Sequence, residues 1–343
     1  MEITGKSTKE EIQSQPEAWA SAIQVLKDQS EVLESFYPQG RYSQVIFTGC
    51  GSTYYLALAA AALFQELTGQ TARALPASEL WLYPKSSYPK TGRILLVPVS
   101  RSGATTETLR ACEAFETSGG GDLLTLSCYG DQPLAKMGTI NLVFSSGAEE
   151  SIAQTRAFST LYLATVAFAT LCSGRLDLFE ALDGLPVVGR RILSEYAPLA
   201  RQLGQDSSLD RFYFLGSGPR YGLACELNLK MKEMSLSHSE SFHFMEFRHG
   251  PKAMVTANTL VVGLVSEVNH LHEMAVLQDV RSLGARLLVI GEKQGDVVFN
   301  SGLDEAIRNV LYLLAGQMLA FERSLAKGLN PDRPHNLDAV VKL

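Results

Sequence analysis

The chain has 343 residues, with 30 Lys+Arg against 36 Asp+Glu for a net charge of -6, and is 46% hydrophobic and 19% charged. At about 150 residues per domain, that length points to two domains, each large enough for its own core. The composition excludes a disordered, fibrous or low-complexity chain, and the acidic balance excludes a general attraction to nucleic acid or acidic membrane. Any anion must therefore be held by local groups.

The opening residues MEITGKSTKEEIQSQPEAW lack the apolar stretch of a signal peptide, and no run of eighteen apolar residues occurs. The expectation is a cytoplasmic protein with no membrane partner. Residues 1–34 read as a helical segment, 35–203 as a first α/β domain and 204–343 as a second. Short apolar runs at 45–47, 94–99 and 123–126 alternate with helical patterns at 54–67, 105–117 and 155–171, which is the rhythm of a parallel sheet flanked by helices. The pattern over 155–171 is almost wholly apolar, so that helix is expected to be buried. A further helical stretch at 186–203 contains Pro198, a residue that favours a kink, and the polar 204–210 segment follows as a boundary loop.

The rhythm restarts at Phe212-Tyr213-Phe214-Leu215, and an offset of 167 residues pairs Gly49 with Gly216, Gly51 with Gly218, Tyr54 with Tyr221 and Glu66 with Glu233. An offset of 166 pairs Val99-Ser100 with Val265-Ser266. Two copies of one α/β unit are the simplest reading.

Cys50, Cys112, Cys128, Cys172 and Cys225 are odd in number and far apart, with no C-x-x-C pair. They read as reduced, mostly buried thiols. His238, His243 and His249 lack metal-ligand spacing, so neither a metal nor another cofactor is expected.

Three segments carry candidate chemistry in the first copy. Thr48-Gly-Cys-Gly-Ser-Thr53 joins a strand to a helix, where Gly51, Ser52 and Thr53 present a tight turn and a helix N-terminus suited to an anion. Taken alone it reads better as a plain tight turn. Ser100-Arg-Ser-Gly-Ala-Thr-Thr106 also joins strand to helix and gathers Ser100, Arg101, Ser102 and Thr105, a composition that suits a phosphate; the competing reading makes Ser102 and Thr105 helix caps. Ser146 to Arg156 leads polar groups into the buried helix, with Glu149 and Arg156 read as an interior ion pair before catalysts.

In the second copy a helical wheel from Leu223 puts Leu223, Leu227, Met231 and Met234 on one apolar stripe, flanked by Glu226, Lys230 and Glu233. Glu233 sits at the edge of the buried face, where a carboxylate can exchange protons; the alternative is a surface salt-bridge row. His249 precedes a Gly-Pro turn and is a second proton-transfer candidate.

Together the Gly-x-Gly-Ser/Thr loop, Ser100-Arg-Ser-Gly, Thr155-Arg-Ala-Phe158, Leu229-Lys-Met-Lys-Glu233, His249-Gly-Pro251 and Asn330-Pro-Asp-Arg-Pro-His-Asn-Leu337 resemble the double sugar-isomerase (SIS) domain proteins. The resemblance is to the isomerase half of glucosamine-6-phosphate synthase and to the stand-alone SIS hexosamine-phosphate deaminases and isomerases. Glu11-Ile12 and Gln15-Pro16 resemble that half's opening helix, so nearly the whole chain is covered.

The resemblance implies two flavodoxin-like units in a homodimer. It makes Thr53, Ser100, Arg101, Ser102 and Thr105 the sugar-phosphate cradle, with Arg101 where the synthase usually has Gln, and brings Ile152 and Gln154 to the sugar. Glu233 is then the base between C1 and C2, with Lys230 beside it, and His249 opens the ring from the neighbouring subunit. Two departures stand out. Ala339 occupies the position of the synthase's tail Lys, with Lys342 three places later, and from Glu2 and the late first cysteine, Cys50, the expectation is that the synthase's glutaminase domain is missing. The expected function is deamination and isomerisation of glucosamine 6-phosphate or a related amino-sugar phosphate. The alternatives are a plain aldose/ketose isomerase and a sugar-phosphate-binding regulator without turnover.

Overall fold

A computed structural model describes residues 4–38 and 40–341. By contact the chain divides into two compact units, one of Glu17–Glu149, Arg156–Asp183 and Asp338–Leu343, the other of Met1–Pro16, Glu150–Thr155 and Gly184–Leu337.

The first unit is built on strands β1 (Gln44–Gly49), β2 (Ala72–Pro76), β3 (Ile94–Ser100), β4 (Gly121–Ser127) and β5 (Ile140–Val143), in the order β2-β1-β3-β4-β5. Every pairing is parallel, with Phe47 opposite both Ala74 and Val97. The second unit repeats the plan with β6 (Arg211–Leu215), β7 (His238–Phe242), β8 (Thr259–Leu264), β9 (Arg286–Gly291) and β10 (Val297–Val298), ordered β10-β9-β8-β6-β7. Its pairings are also parallel. Each sheet is thus the flavodoxin-like order 2-1-3-4-5, with its topological switch point beside the first strand, where ligands of open α/β sheets bind. The expected class, two tandem flavodoxin-like units with parallel sheets flanked by helices, is the fold observed.

The strand sequences explain their positions. Every residue of β3 and β8 is buried, as a central parallel strand covered on both faces requires. The edges β2 and β7 are only partly buried and carry Arg73, His238 and Glu240; these edges, with β5 and β10, lack the apolar run that marks the central strands. The expected helices form as Ser52–Thr68, Thr106–Ser118 and Arg156–Cys172, and all but the two end residues of the last are buried. Pro198 lies inside one helix, Leu185–Gly204.

The first strand-to-helix turn is the same in both copies for a steric reason. A Cβ on Gly49 would lie 2.4 Å from the Thr53 hydroxyl, and one on Gly216 would lie 2.3 Å from the Arg220 carbonyl. Two residues on, Gly51 and Gly218 hold φ of 55° and 57°, a region that disfavours a side chain. The Gly-x-Gly spacing read from the sequence as a repeat is therefore one turn built twice.

All five cysteines are unpaired, and three are fully buried. Burial pushes the Cys50 thiol up to about 11, and the Cys112 thiol to about 12. Among the described residues no helix is long and apolar enough to cross a membrane.

Candidate active site

At the carboxyl end of β3 in the first unit, three hydroxyls converge. Ser100 Oγ lies 3.5 Å from Ser102 Oγ and 3.3 Å from Thr105 Oγ1, and Ser102 Oγ lies 3.3 Å from Thr105 Oγ1. Backbone donors turn the loop around them, Gly103 N–H to Ser100 Oγ and Ala104 N–H to Ser102 Oγ, both at 3.2 Å. Thr105 occupies the N-cap of Thr106–Ser118 but makes no side-chain cap bond. The capping reading thus fails for Thr105, whose hydroxyl faces the other two at a helix N-terminus, an arrangement that suits phosphate oxygens.

The neighbouring Gly-x-Gly loop is organised differently. Thr53 Oγ1 accepts from Cys50 N–H at 2.9 Å and donates to the Cys50 carbonyl at 3.0 Å. Ser52 is buried in the first turn of its helix, just after Gly51. Arg101 reaches two groups outside the loop: Nη1 is 3.6 Å from Glu149 Oε2, and Nη2 donates to the Ala339 carbonyl at 3.0 Å. Glu149 is thus half of an interior ion pair, with Arg101 as partner; Arg156 donates to the Ala148 carbonyl.

In the second unit the helix Pro219–Ser235 carries the proton-transfer candidates. Lys230 is fully buried, with Nζ 3.3 Å from Glu226 Oε1 and 2.5 Å from Glu233 Oε2. Glu226 is also fully buried, whereas the Glu233 side chain is 19% exposed. The alternative of a surface salt-bridge row does not describe this triad, because two of its three members have left solvent. Burial pulls the Lys230 ammonium down, but the two carboxylates outweigh it, so its proton is held more tightly than usual. Lys230 is consequently a fixed cation that orients Glu233, which keeps a water-accessible edge.

Ile152 and Gln154 lie in the 150–155 segment of this same unit. Ile152 N–H donates to the Asp332 carbonyl at 3.0 Å, and Gln154 Oε1 is buried with no hydrogen-bond partner among the described residues. Two positioning groups here escaped sequence reasoning. Glu11 accepts from the amides of Glu150 and Ser151 at 2.7 and 3.1 Å and from the Ser151 hydroxyl. Asp332 accepts from Thr8 N–H and Thr8 Oγ1 at 2.8 and 2.7 Å. The only sequence signal was Glu11 and Asp332 lying inside segments already matched by resemblance. His249 is exposed at the end of a one-turn 3₁₀ helix, Glu246–Arg248. Lys342, the lysine displaced along the tail, lies outside the described residues.

In the second unit the counterparts of the loop residues meet carboxylates of the same unit. Ser266, which pairs with Ser100 in the repeat, donates from N–H and Oγ to Glu273 Oε2 at 2.6 and 3.0 Å. Arg220, aligned with Thr53, meets Glu305 at 2.6 Å. Carboxylates thus stand beside these positions in the second copy, where the first copy has its three hydroxyls. Burial raises the Glu273 pKa against the opposing pull of the Ser266 amide and Arg220.

A carboxyl with a raised folded-state pKa costs stability as pH rises from its unfolded value through its folded one. Glu273→Gln is therefore expected to gain stability relative to the parent between pH 5 and pH 8. Urea midpoints at the two pH values check this, and a difference that does not change with pH refutes it.

A family model, the SIS domain, matches residues 41–171 and 207–310, one segment on each sheet. The chain belongs to the SIS-domain family. It is 27% identical over 342 residues to the isomerizing glutamine--fructose-6-phosphate aminotransferase of Methanothermobacter thermautotrophicus, covering 96% of this chain and 56% of that one. The Pseudomonas syringae enzyme of the same name is 28% identical, at 96% and 58% coverage. The SIS chain thus spans a little over half the length of these curated relatives. Its fold matches the glucosamine-6-phosphate deaminase of Thermotoga maritima with a TM-score of 0.77 and 28% identity over 94% of this chain and 100% of that one. It matches the tagatose-6-phosphate ketose/aldose isomerase of Escherichia coli with a TM-score of 0.87 at 22% identity, over 97% and 96% of the two chains.

Proposed function

We propose that this SIS protein is an isomerising deaminase of glucosamine 6-phosphate or a related amino-sugar 6-phosphate. Ser100, Ser102 and Thr105 take the phosphate oxygens, with Gly51, Ser52 and Thr53 on the adjoining loop and Ile152 and Gln154 on the sugar. Glu233 removes the proton at C2 of the open-chain amino-aldose and returns it at C1. The resulting ketimine takes up water and releases ammonia, leaving the ketose phosphate. The proton shift moves oxidation from C1 to C2 within the sugar, and the hydrolysis exchanges the C2–N bond for a C2–O bond from water, so these steps need no external oxidant or reductant. His249 opens the ring from a neighbouring subunit, which makes the working unit a homodimer.

The observation that carries the reading is the state of Glu233, a carboxylate with one oxygen fixed on a fully buried lysine and an edge left to solvent. A sugar-phosphate-binding regulator has use for the hydroxyl cluster but none for a base held in this way. The 28% identity to a glucosamine-6-phosphate deaminase across that whole chain favours deamination over the plain isomerase.

The test is to incubate purified protein with glucosamine 6-phosphate and measure ammonium and fructose 6-phosphate. Equal amounts of both are expected. Aldose/ketose interconversion with no ammonium from any amino-sugar phosphate would establish the plain isomerase, and binding without turnover would establish the regulator.

A further inference from the structure

Arg101 is part of the hydroxyl loop by sequence, and its guanidinium meets a buried carboxylate and a backbone carbonyl from outside that loop. The side chain is 6% exposed and faces Glu149, whose side chain is fully buried. Glu149 is itself held in place through its backbone, with its N–H donating to Tyr129 Oη at 3.3 Å and its carbonyl accepting from Tyr129 Oη at 3.1 Å. Removing either member of such a pair strands a buried charge, so the guanidinium is not at liberty to follow a ligand.

The other arm of the same planar fork donates to the Ala339 carbonyl, and Thr106 N–H, in the first turn of the helix after the loop, donates to the Val341 carbonyl at 3.4 Å. Segment 338–341 is thus tied at two points to the loop that carries Ser100, Ser102 and Thr105. A guanidinium already neutralised by a carboxylate suits a neutral carbonyl acceptor better than a phosphate dianion, which gains most from an unpaired cation.

We propose that Arg101 is a positioning residue: charge-balanced by Glu149, it straps the C-terminal segment 338–341 onto the phosphate loop and leaves the phosphate to the hydroxyls. The inference rests on the reading of that loop as a phosphate site. It differs from the role that resemblance gives Arg101, a phosphate ligand, and it gives the tail a place even though Ala339 carries no lysine.

Two measurements on the full chain test it, carboxypeptidase trimming of the C-terminus and titration with inorganic phosphate. Arg101→Gln is expected to speed trimming about tenfold, in line with a lost bond to a charged donor, while the phosphate Kd changes less than threefold. Ser102→Ala is expected to do the reverse, raising that Kd about tenfold with trimming unchanged. Should Arg101→Gln fail to fold because Glu149 is stranded, Arg101→Gln/Glu149→Gln removes both charges and must give the same pair of results.

A variant that weakens phosphate as much as Ser102→Ala makes Arg101 a phosphate ligand and overturns the proposal, as does unchanged trimming. If Ser102→Ala leaves phosphate binding intact while Arg101→Gln still speeds trimming, the strap stands and the phosphate reading of the loop falls.

Discussion

Glu233→Gln is expected to lower turnover of an amino-sugar 6-phosphate by about 10²–10⁴, the usual contribution of a positioned general base, with little change in affinity for inorganic phosphate. The substitution keeps the side chain's shape and one oxygen for Lys230, so the 2.5 Å contact between Lys230 Nζ and Glu233 Oε2 has a surviving acceptor. On the proposed mechanism, what is lost is the protonated state of the carboxylate that carries the substrate's proton from C2 to C1. A loss shared by kcat and kcat/KM would mark an interaction made in the transition state, whereas a rise in KM alone would mark a binding contact. A variant within a few-fold of the parent returns Glu233 to a structural ion pair. Mixing Glu233→Gln with His249→Ala chains extends the test: in a homodimer with a shared site, one of the two sites of the mixed dimer keeps both residues, and part of the activity returns.

The sequence made the central strands and the duplicated turn legible because their causes are local. A run such as Ile94 to Ser100 has no polar interruption to place it at an edge, and Gly49 and Gly51 are needed by the turn itself, so both recur as Gly216 and Gly218. β2 and β7 were not legible, since an edge strand such as His238–Phe242 owes its existence to pairing with β6 and not to its own apolar content. The same division runs through the site. The Ser100, Ser102 and Thr105 cluster follows from one strand-to-helix connection. The Glu11 clamp joins residues 139 positions apart, and in an isolated helix Glu11 looks like any solvent-facing acid. The use of Arg101 was also hidden, because its partners at 149 and 339 come from segments whose packing no periodicity reports.

The burial of Lys230 sets the second large effect. On a wheel, Glu226, Lys230 and Glu233 form the same pattern whether they face water or protein; in the fold, Lys230 and Glu226 face protein. Lys230→Met keeps the volume and removes the charge, leaving Glu226 fully buried with its cation gone. Breaking a buried ion pair from one side costs about 3–5 kcal/mol, and the denaturant midpoint should fall accordingly. Adding Glu226→Gln removes the stranded charge and should recover most of that loss.

Activity is expected to behave differently. Glu233 loses its positioning cation in the single and the double variant alike, so kcat for an amino-sugar 6-phosphate should fall about tenfold or more in both, as it does when a reacting group is held out of position, while the Kd for inorganic phosphate stays unchanged. Recovery of stability without recovery of kcat is the signature of a lysine that serves the base as well as the fold. Recovery of both would assign Lys230 to charge balance with Glu226 alone, and failure of the double variant to regain stability would show that the buried triad is not held together by charge.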